Sequence, residues 1–177
     1  MLRELRSRVQ LWRRGARGVG LTVKGYVWVH GDGEVVVGHD VVLDGTVAPI
    51  EIRTAKGGRL VLGDHVRVEG GVSFEAEGST FVGRNVTVKA FAKIIDNHFH
   101  KLTGNRHERP PPGEVVIEEG VVVEPSAILL PGAHIGAGSV IAARAVVSKR
   151  VPPKVRVVGN PSRVEPLNPL PPKAASP

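Results

Sequence analysis

Aliphatic residues stand at every sixth position through the C-terminal part of the chain: Ile117, Val123, Leu129, Ile135, Ile141 and Val147. Four residues after each of the first five comes a small or compact side chain, namely Val121, Ala127, Ala133, Ser139 and Ala145. A helix repeats about every 3.6 residues and a half-buried strand every two, so neither alone holds a strict six. The pattern fits a chain that makes one short strand, turns a corner and brings the next aliphatic back to the same axis. That is a solenoid.

The same unit stands, with slips of phase, further upstream. Val37-Gly38-His39-Asp40-Val41-Val42-Leu43, Leu62-Gly63-Asp64-His65-Val66-Arg67-Val68 and Val82-Gly83-Arg84-Asn85-Val86-Thr87-Val88 each pair two aliphatics six apart. In each, glycine follows the first aliphatic, as expected if it takes positive φ at a tight corner. The largest slip runs from Ile94 to Ile117 and contains Asp96-Asn97-His98-Phe99-His100 and a polar, proline-rich stretch. That stretch cannot join the repeat, so residues 96–114 are expected to project as a loop, where function often sits. Residues 2–14 read as a helix, with Leu2, Leu5, Val9 and Trp12 near one face and arginines on the others. The first twenty residues thus form a basic helical segment, 21–165 the solenoid domain, and 166–177 a proline-rich tail expected to be disordered.

Composition narrows the class. The chain has 177 residues, 22 glycines, 14 prolines and no cysteine, so a disulfide framework and a cysteine nucleophile are both excluded. No apolar stretch reaches the roughly 20 residues of a membrane span, and the N-terminus lacks the apolar core of a signal peptide. A cytoplasmic location is the expectation. The net charge of +7 is local: residues 1–17 hold six arginines against Glu4, a surplus of +5, which leaves +2 for the rest. A nearly neutral body argues against nucleic acid as a partner. The basic helix is expected to pack its apolar stripe on the first coils or on a neighbouring subunit. The alternative is weak contact with an anionic membrane surface.

The six-residue motif, the histidine-bearing insertion and the string VVSKRVPPKVRVVGNPSRV together resemble the hexapeptide-repeat acyltransferases, in the branch of the maltose, galactoside and streptogramin O-acetyltransferases. The resemblance covers about residues 35–165. It implies an all-β fold, a left-handed parallel β-helix with a short N-terminal helix and an inserted loop, although ordinary crossovers are right-handed. It also implies a homotrimer with active sites between subunits, acetyl-CoA as co-substrate, and transfer of the acetyl group to a hydroxyl of a sugar or polysaccharide precursor. No metal is required by that reaction.

Such transfer needs a general base for the hydroxyl proton and donors for the developing oxyanion. Asp96-Asn97-His98-Phe99-His100 resembles the family's Asp-x-x-Phe-His stretch, whose last residue is the base. His100 is therefore the first candidate base and His98 the second. Asp96 or a backbone carbonyl would hold the ring, and Asp96 and Asn97 are the candidate acceptor contacts. By the family's pattern Pro125, Ala143, Ser148 and Lys149 line the path of coenzyme A, with Lys149 and Arg163 as phosphate partners. Val122 stands where many relatives have tryptophan, and Glu118 and Ala142 replace glycines of the repeat. Three alternatives compete with O-acetyl transfer. An amino-sugar N-acyltransferase would share the coenzyme site, and a non-catalytic scaffold would keep the repeat without turnover. A γ-type carbonic anhydrase would need three histidines on zinc, and His30, His39, His65, His98, His100, His107 and His134 include no pair at that family's ligand spacing.

Overall fold

The six-residue units become short strands joined by tight corners, so alternate side chains point to the axis and each strand stacks on the one a coil below. The computed structural model describes residues 2–16, 18–101, 103–105 and 107–167, apart from the side chains of residues 2 and 3. Helix α1 (Leu2–Arg13) is followed by β1 (Thr22–Gly31), then β2 (Glu34–Val37) and the long, bent β3 (Val42–Thr54). The next two coils are β4 (Arg59–Leu62), β5 (Arg67–Glu69), β6 (Ser73–Ala76) and β7 (Ser79–Val82), β8 (Thr87–Val88), β9 (Lys93–Ile95). After the loop come β10 (Val115–Ile117), β11 (Val122–Val123), β12 (Ile128–Leu129) and β13 (His134–Ile135), β14 (Val140–Ile141), β15 (Val146–Val147). β16 (Arg150–Val151) and β17 (Val155–Val158) open a last coil, which β18 (Arg163–Pro166) closes by pairing antiparallel with β17.

Three parallel faces result. The first stacks β2, β4, β7, β10, β13 and β16. The second stacks the first part of β3 with β5, β8, β11, β14 and β17, and the third stacks the end of β3 with β6, β9, β12 and β15. β1 lies parallel along both parts of β3, with a bulge between Gly25 and Val27. The whole is a left-handed parallel β-helix of about six turns.

The core is the repeat itself. Ile117, Val123, Leu129, Ile135, Ile141 and Val147 are all fully buried, and so are the five compact residues between them. Full burial of each large aliphatic contributes about 1.5–3 kcal/mol. Ser139, the polar member of the compact set, donates its hydroxyl to the Pro152 carbonyl (2.9 Å) and accepts the Val155 N–H (3.2 Å).

The corner glycines act differently from the sequence expectation. Positive φ falls two residues later, on Asp40, His65 and Asn85, and continues up the same corner on Gly120, Gly138 and Lys154. The stack is tied by N–H bonds to the coil below, for example Asn85 to the Asp64 carbonyl (2.9 Å) and Gly138 to the Glu119 carbonyl (2.8 Å). Gly63 and Gly83 are needed instead for close approach: a Cβ on Gly63 would lie 2.9 Å from the backbone of Gly83 and Arg84. Glu118, which replaces the glycine above Gly83, turns its carboxylate back onto the coil. There it accepts the Ala137 N–H (2.9 Å) and the His134 Nε2–H (2.6 Å).

Helix α1 packs on β1 as expected, but through the other face. Leu11 and Ser7 are buried, Ser7 Oγ accepts the Val27 N–H (3.2 Å), and the Arg8 guanidinium donates to the Leu21 carbonyl (3.0 Å). Of the expected inward stripe, Leu5, Val9 and Trp12 face solvent at 59%, 42% and 61% exposure. The side chain of Leu2 is outside the described residues. At the other end, the expected tail begins later than Pro166, because β18 takes residues 163–166 into the sheet. The disorder expected for the rest of the tail concerns residues 168–177, which lie outside the described residues.

Candidate active site

The corner between the third and first faces carries the insertion. Its root is closed by the Gly113 N–H donating to the Asp96 carbonyl at 2.7 Å. The Asp96 carboxylate reaches down one coil and accepts the N–H groups of Glu77 (2.8 Å) and Gly78 (2.9 Å). Asp96 is fully buried, so charge-assisted bonds to backbone amides stand in for its water. Its side chain is therefore turned to the scaffold and holds the start of the loop.

Beyond Asp96 the loop braces itself. Lys101 N–H donates to the Glu108 carbonyl (3.2 Å), the Lys101 ammonium pairs with the Glu108 carboxylate, and His107 N–H bonds Asn105 Oδ1 (3.0 Å). Arg109 reaches back to Glu77 at 2.9 Å. Such exposed pairs contribute little each, and the loop stands in solvent.

His98, Phe99 and His100 are exposed at the head of this loop. The His100 Nδ1 lies 3.0 Å from the Lys101 carbonyl. A carbonyl can only accept, so Nδ1 donates to it. A backbone carbonyl, the second of the two holders expected for the ring, thus contacts His100. Among the described residues nothing hydrogen-bonds the His98 ring.

Asn97 points the other way. It is 4% exposed, and among the described residues neither its Oδ1 nor its Nδ2 has a partner. It lines a cavity of about 170 Å³ together with Arg53, Thr54, Lys56, Glu75, Glu77 and Arg109. Thr54 Oγ1 is likewise buried without a partner among the described residues. Burial raises the Glu75 carboxyl above the ordinary glutamate range, and the nearby Arg53 offsets part of that rise. Unpaired buried amide and hydroxyl groups are costly, and here they face a recess rimmed by both signs of charge. The sequence reading missed this set except Asn97. The signal that would have found it is the register pairing Arg53 with Glu75 across adjacent coils.

The residues expected to hold coenzyme A fall at two corners of the third face. Pro125 and Ala143 stack at the corner between the second and third faces, where Arg144 N–H donates to the Pro125 carbonyl (3.1 Å) and Ala143 N–H to Glu124 (3.0 Å). Ser148 and Lys149 lie at the loop's own corner, stacked over Gly132, whose N–H donates to the Gly113 carbonyl (3.2 Å). All four are exposed, and the half-buried outward side chains of Ile128 and Val146 lie between the two corners. Arg163, on β18, is exposed beyond the last coil. A cavity of about 750 Å³, lined by α1, β1 and Glu51, contains none of these residues. Among the described residues no three His, Asp or Glu side chains are grouped to hold a metal ion, and no helix is long and apolar enough to cross a membrane.

Residues 114–149 match the family model described as bacterial transferase hexapeptide (six repeats). No curated protein matches the chain in sequence. Among solved structures, the polysialic acid O-acetyltransferase OatWY superposes with a TM-score of 0.66 at 14% identity, over 85% of this chain and 87% of its own. A hexapeptide-repeat acetyltransferase of Vibrio cholerae O1 biovar eltor, complexed with acetyl coenzyme A, gives 0.59 at 21% identity over 95% and 88%. The N-acyltransferase AntD of Bacillus cereus, in complex with dTDP and 3-hydroxybutyryl-CoA, gives 0.74 at 16% identity over 90% and 87%. At these identities the likeness speaks to the fold. Residues 114–149 thus carry the hexapeptide repeat, and the chain shares the left-handed β-helix fold of these acyltransferases.

Proposed function

We propose that the protein is an acyltransferase that moves an acetyl group from acetyl-CoA to a hydroxyl of a sugar-type acceptor. The observation that carries the reading is the loop of residues 96–113, rooted at the corner where Ser148 and Lys149 stack two coils on. A base on that loop and a cofactor on the third face would meet at one edge. The thioester supplies the activated acyl group. His100 Nε2 takes the acceptor's hydroxyl proton as its oxygen attacks the thioester carbonyl, and returns the proton to the departing sulfur. No covalent acyl-enzyme is needed, which suits a chain without cysteine. Asp96 holds the loop root, and Asn97 faces the recess beside Glu75, on the side away from His100. Lys149 and Arg163 meet phosphates, and the apolar strip of Ile128 and Val146 supports the pantetheine arm.

The site is completed in a homotrimer. Supporting this, Val36, Val61, Phe81 and Val116 form an outward apolar ladder in strict register on the first face, with Phe81 41% exposed. Light scattering giving three times the chain mass is expected.

The second reading is N-acyl transfer to an amino sugar, favoured by the N-acyltransferase among the structural neighbours. One experiment separates the cases. Thiol release from acetyl-CoA is followed with a panel of neutral and amino sugars, and the product is treated with mild base. An ester that base removes supports the proposal, and a base-stable amide supports the second reading. No release with any acceptor, together with no coenzyme A binding by calorimetry, overturns both.

A further inference from the structure

Helix α1 has two apolar faces, and the solenoid uses one. Leu11 and Ser7 are pinned to β1, whereas Leu5, Val9 and Trp12, spaced i, i+4, i+7, form a stripe on the opposite side and stay exposed. By helical periodicity Arg6 and Arg13 flank this stripe on one side and Arg8 on the other. Leaving this much apolar side chain in water next to a buried face calls for an occupant.

We propose that α1 docks on an anionic lipid surface through the Leu5–Val9–Trp12 stripe, with the flanking arginines against the headgroups. Charge complementarity selects this occupant. Residues 1–17 hold six arginines against one glutamate, and cations of this kind are attracted to anionic lipid at short range. A second copy of the same helix would set arginine rows against arginine rows, and the centres of protein interfaces are depleted in charge. Tryptophan beside leucine and valine suits the boundary between headgroups and acyl chains. The helix is already folded by its inner face, so docking requires no coil-to-helix transition, unlike the usual surface-seeking peptide. Anchoring would hold the solenoid at a membrane without any spanning segment.

The test is co-sedimentation of the full chain with vesicles of phosphatidylcholine alone and of phosphatidylcholine with roughly one-third phosphatidylglycerol. Binding to the anionic vesicles at least about tenfold tighter than to the neutral ones, weakened by salt, is expected. Far-UV circular dichroism should not change on binding. Leu5→Ser/Trp12→Ser should abolish pelleting while far-UV circular dichroism shows the fold retained, because Leu11 and Ser7 hold the helix to β1. Arg6→Glu/Arg13→Glu should remove the preference for anionic lipid. Absence of vesicle binding, or equal binding to both lipids, overturns the proposal. So does a loss of oligomer mass in Leu5→Ser/Trp12→Ser, which would assign the stripe to a second copy.

Discussion

Residues 114–158 and residues 97–112 are neighbours in sequence built on opposite principles. In the coils every residue's place is set by its counterpart a coil below, by ladder bonds and a buried aliphatic at each turn. In the loop, the head bearing His98 and His100 has no ladder, and its shape rests on Asp96, on the Lys101–Glu108 pair and on Arg109 reaching Glu77. The first region has little slack, its aliphatic stack being fully buried. The second is mounted on it and is free to vary. Rigidity below and an exposed, aimed side chain above form a division of labour suited to a catalytic loop.

The comparison can be broken most severely from the coil side. Ile135→Ala removes a fully buried side chain from a stack with no slack, and should destabilise the protein by about 2–5 kcal/mol in denaturant unfolding. Phe99→Ser in the loop, where the ring is exposed, should stay within about 0.5 kcal/mol by the same measurement. Equal effects would dissolve the distinction. Asp96→Ala sits at the boundary: it strands the N–H groups of Glu77 and Gly78 and should cost about 1–3 kcal/mol. It should also lower turnover, because the loop loses its root. Gly83→Ala forces a Cβ to 2.9 Å from the Glu118 backbone, and a loss of about 1–3 kcal/mol is expected.

The smallest effect sharpens the corner chemistry. The His134 ring bond, and then the Ala137 N–H, hold the Glu118 carboxyl below the ordinary glutamate range. A depressed folded value means the contribution is complete above the unfolded value and is lost as pH falls through the folded one. The stability gap between wild type and Glu118→Gln should therefore close as pH falls below the ordinary glutamate value of about 4.3. A constant gap would show that the carboxylate is not what secures this corner.

Periodicity made the coils legible. Six-spaced aliphatics and compact partners have one arrangement that buries them all, and it is the one observed. Two features escaped it for physical reasons. Helix α1 carries apolar residues on both faces, so sequence spacing alone could not say whether Leu11 or Trp12 would be buried. The cavity at Asn97 depends on residues from three coils, such as Arg53 and Glu75, whose meeting is fixed by insertions at the corners rather than by local pattern. The corner glycines were placed correctly, but for a different reason: close approach of coils instead of positive φ.

The central claim is that the loop, through the ring held at the Lys101 carbonyl, performs the proton transfer while the coils stay inert. It is tested by the rate of acceptor-dependent thiol release from acetyl-CoA in wild type, His100→Ala and His98→Ala, each with its unfolding temperature. A loss of about 10²–10⁴-fold in His100→Ala at unchanged stability, with His98→Ala retaining most of the rate, is the predicted result. A wild-type rate in His100→Ala would contradict it.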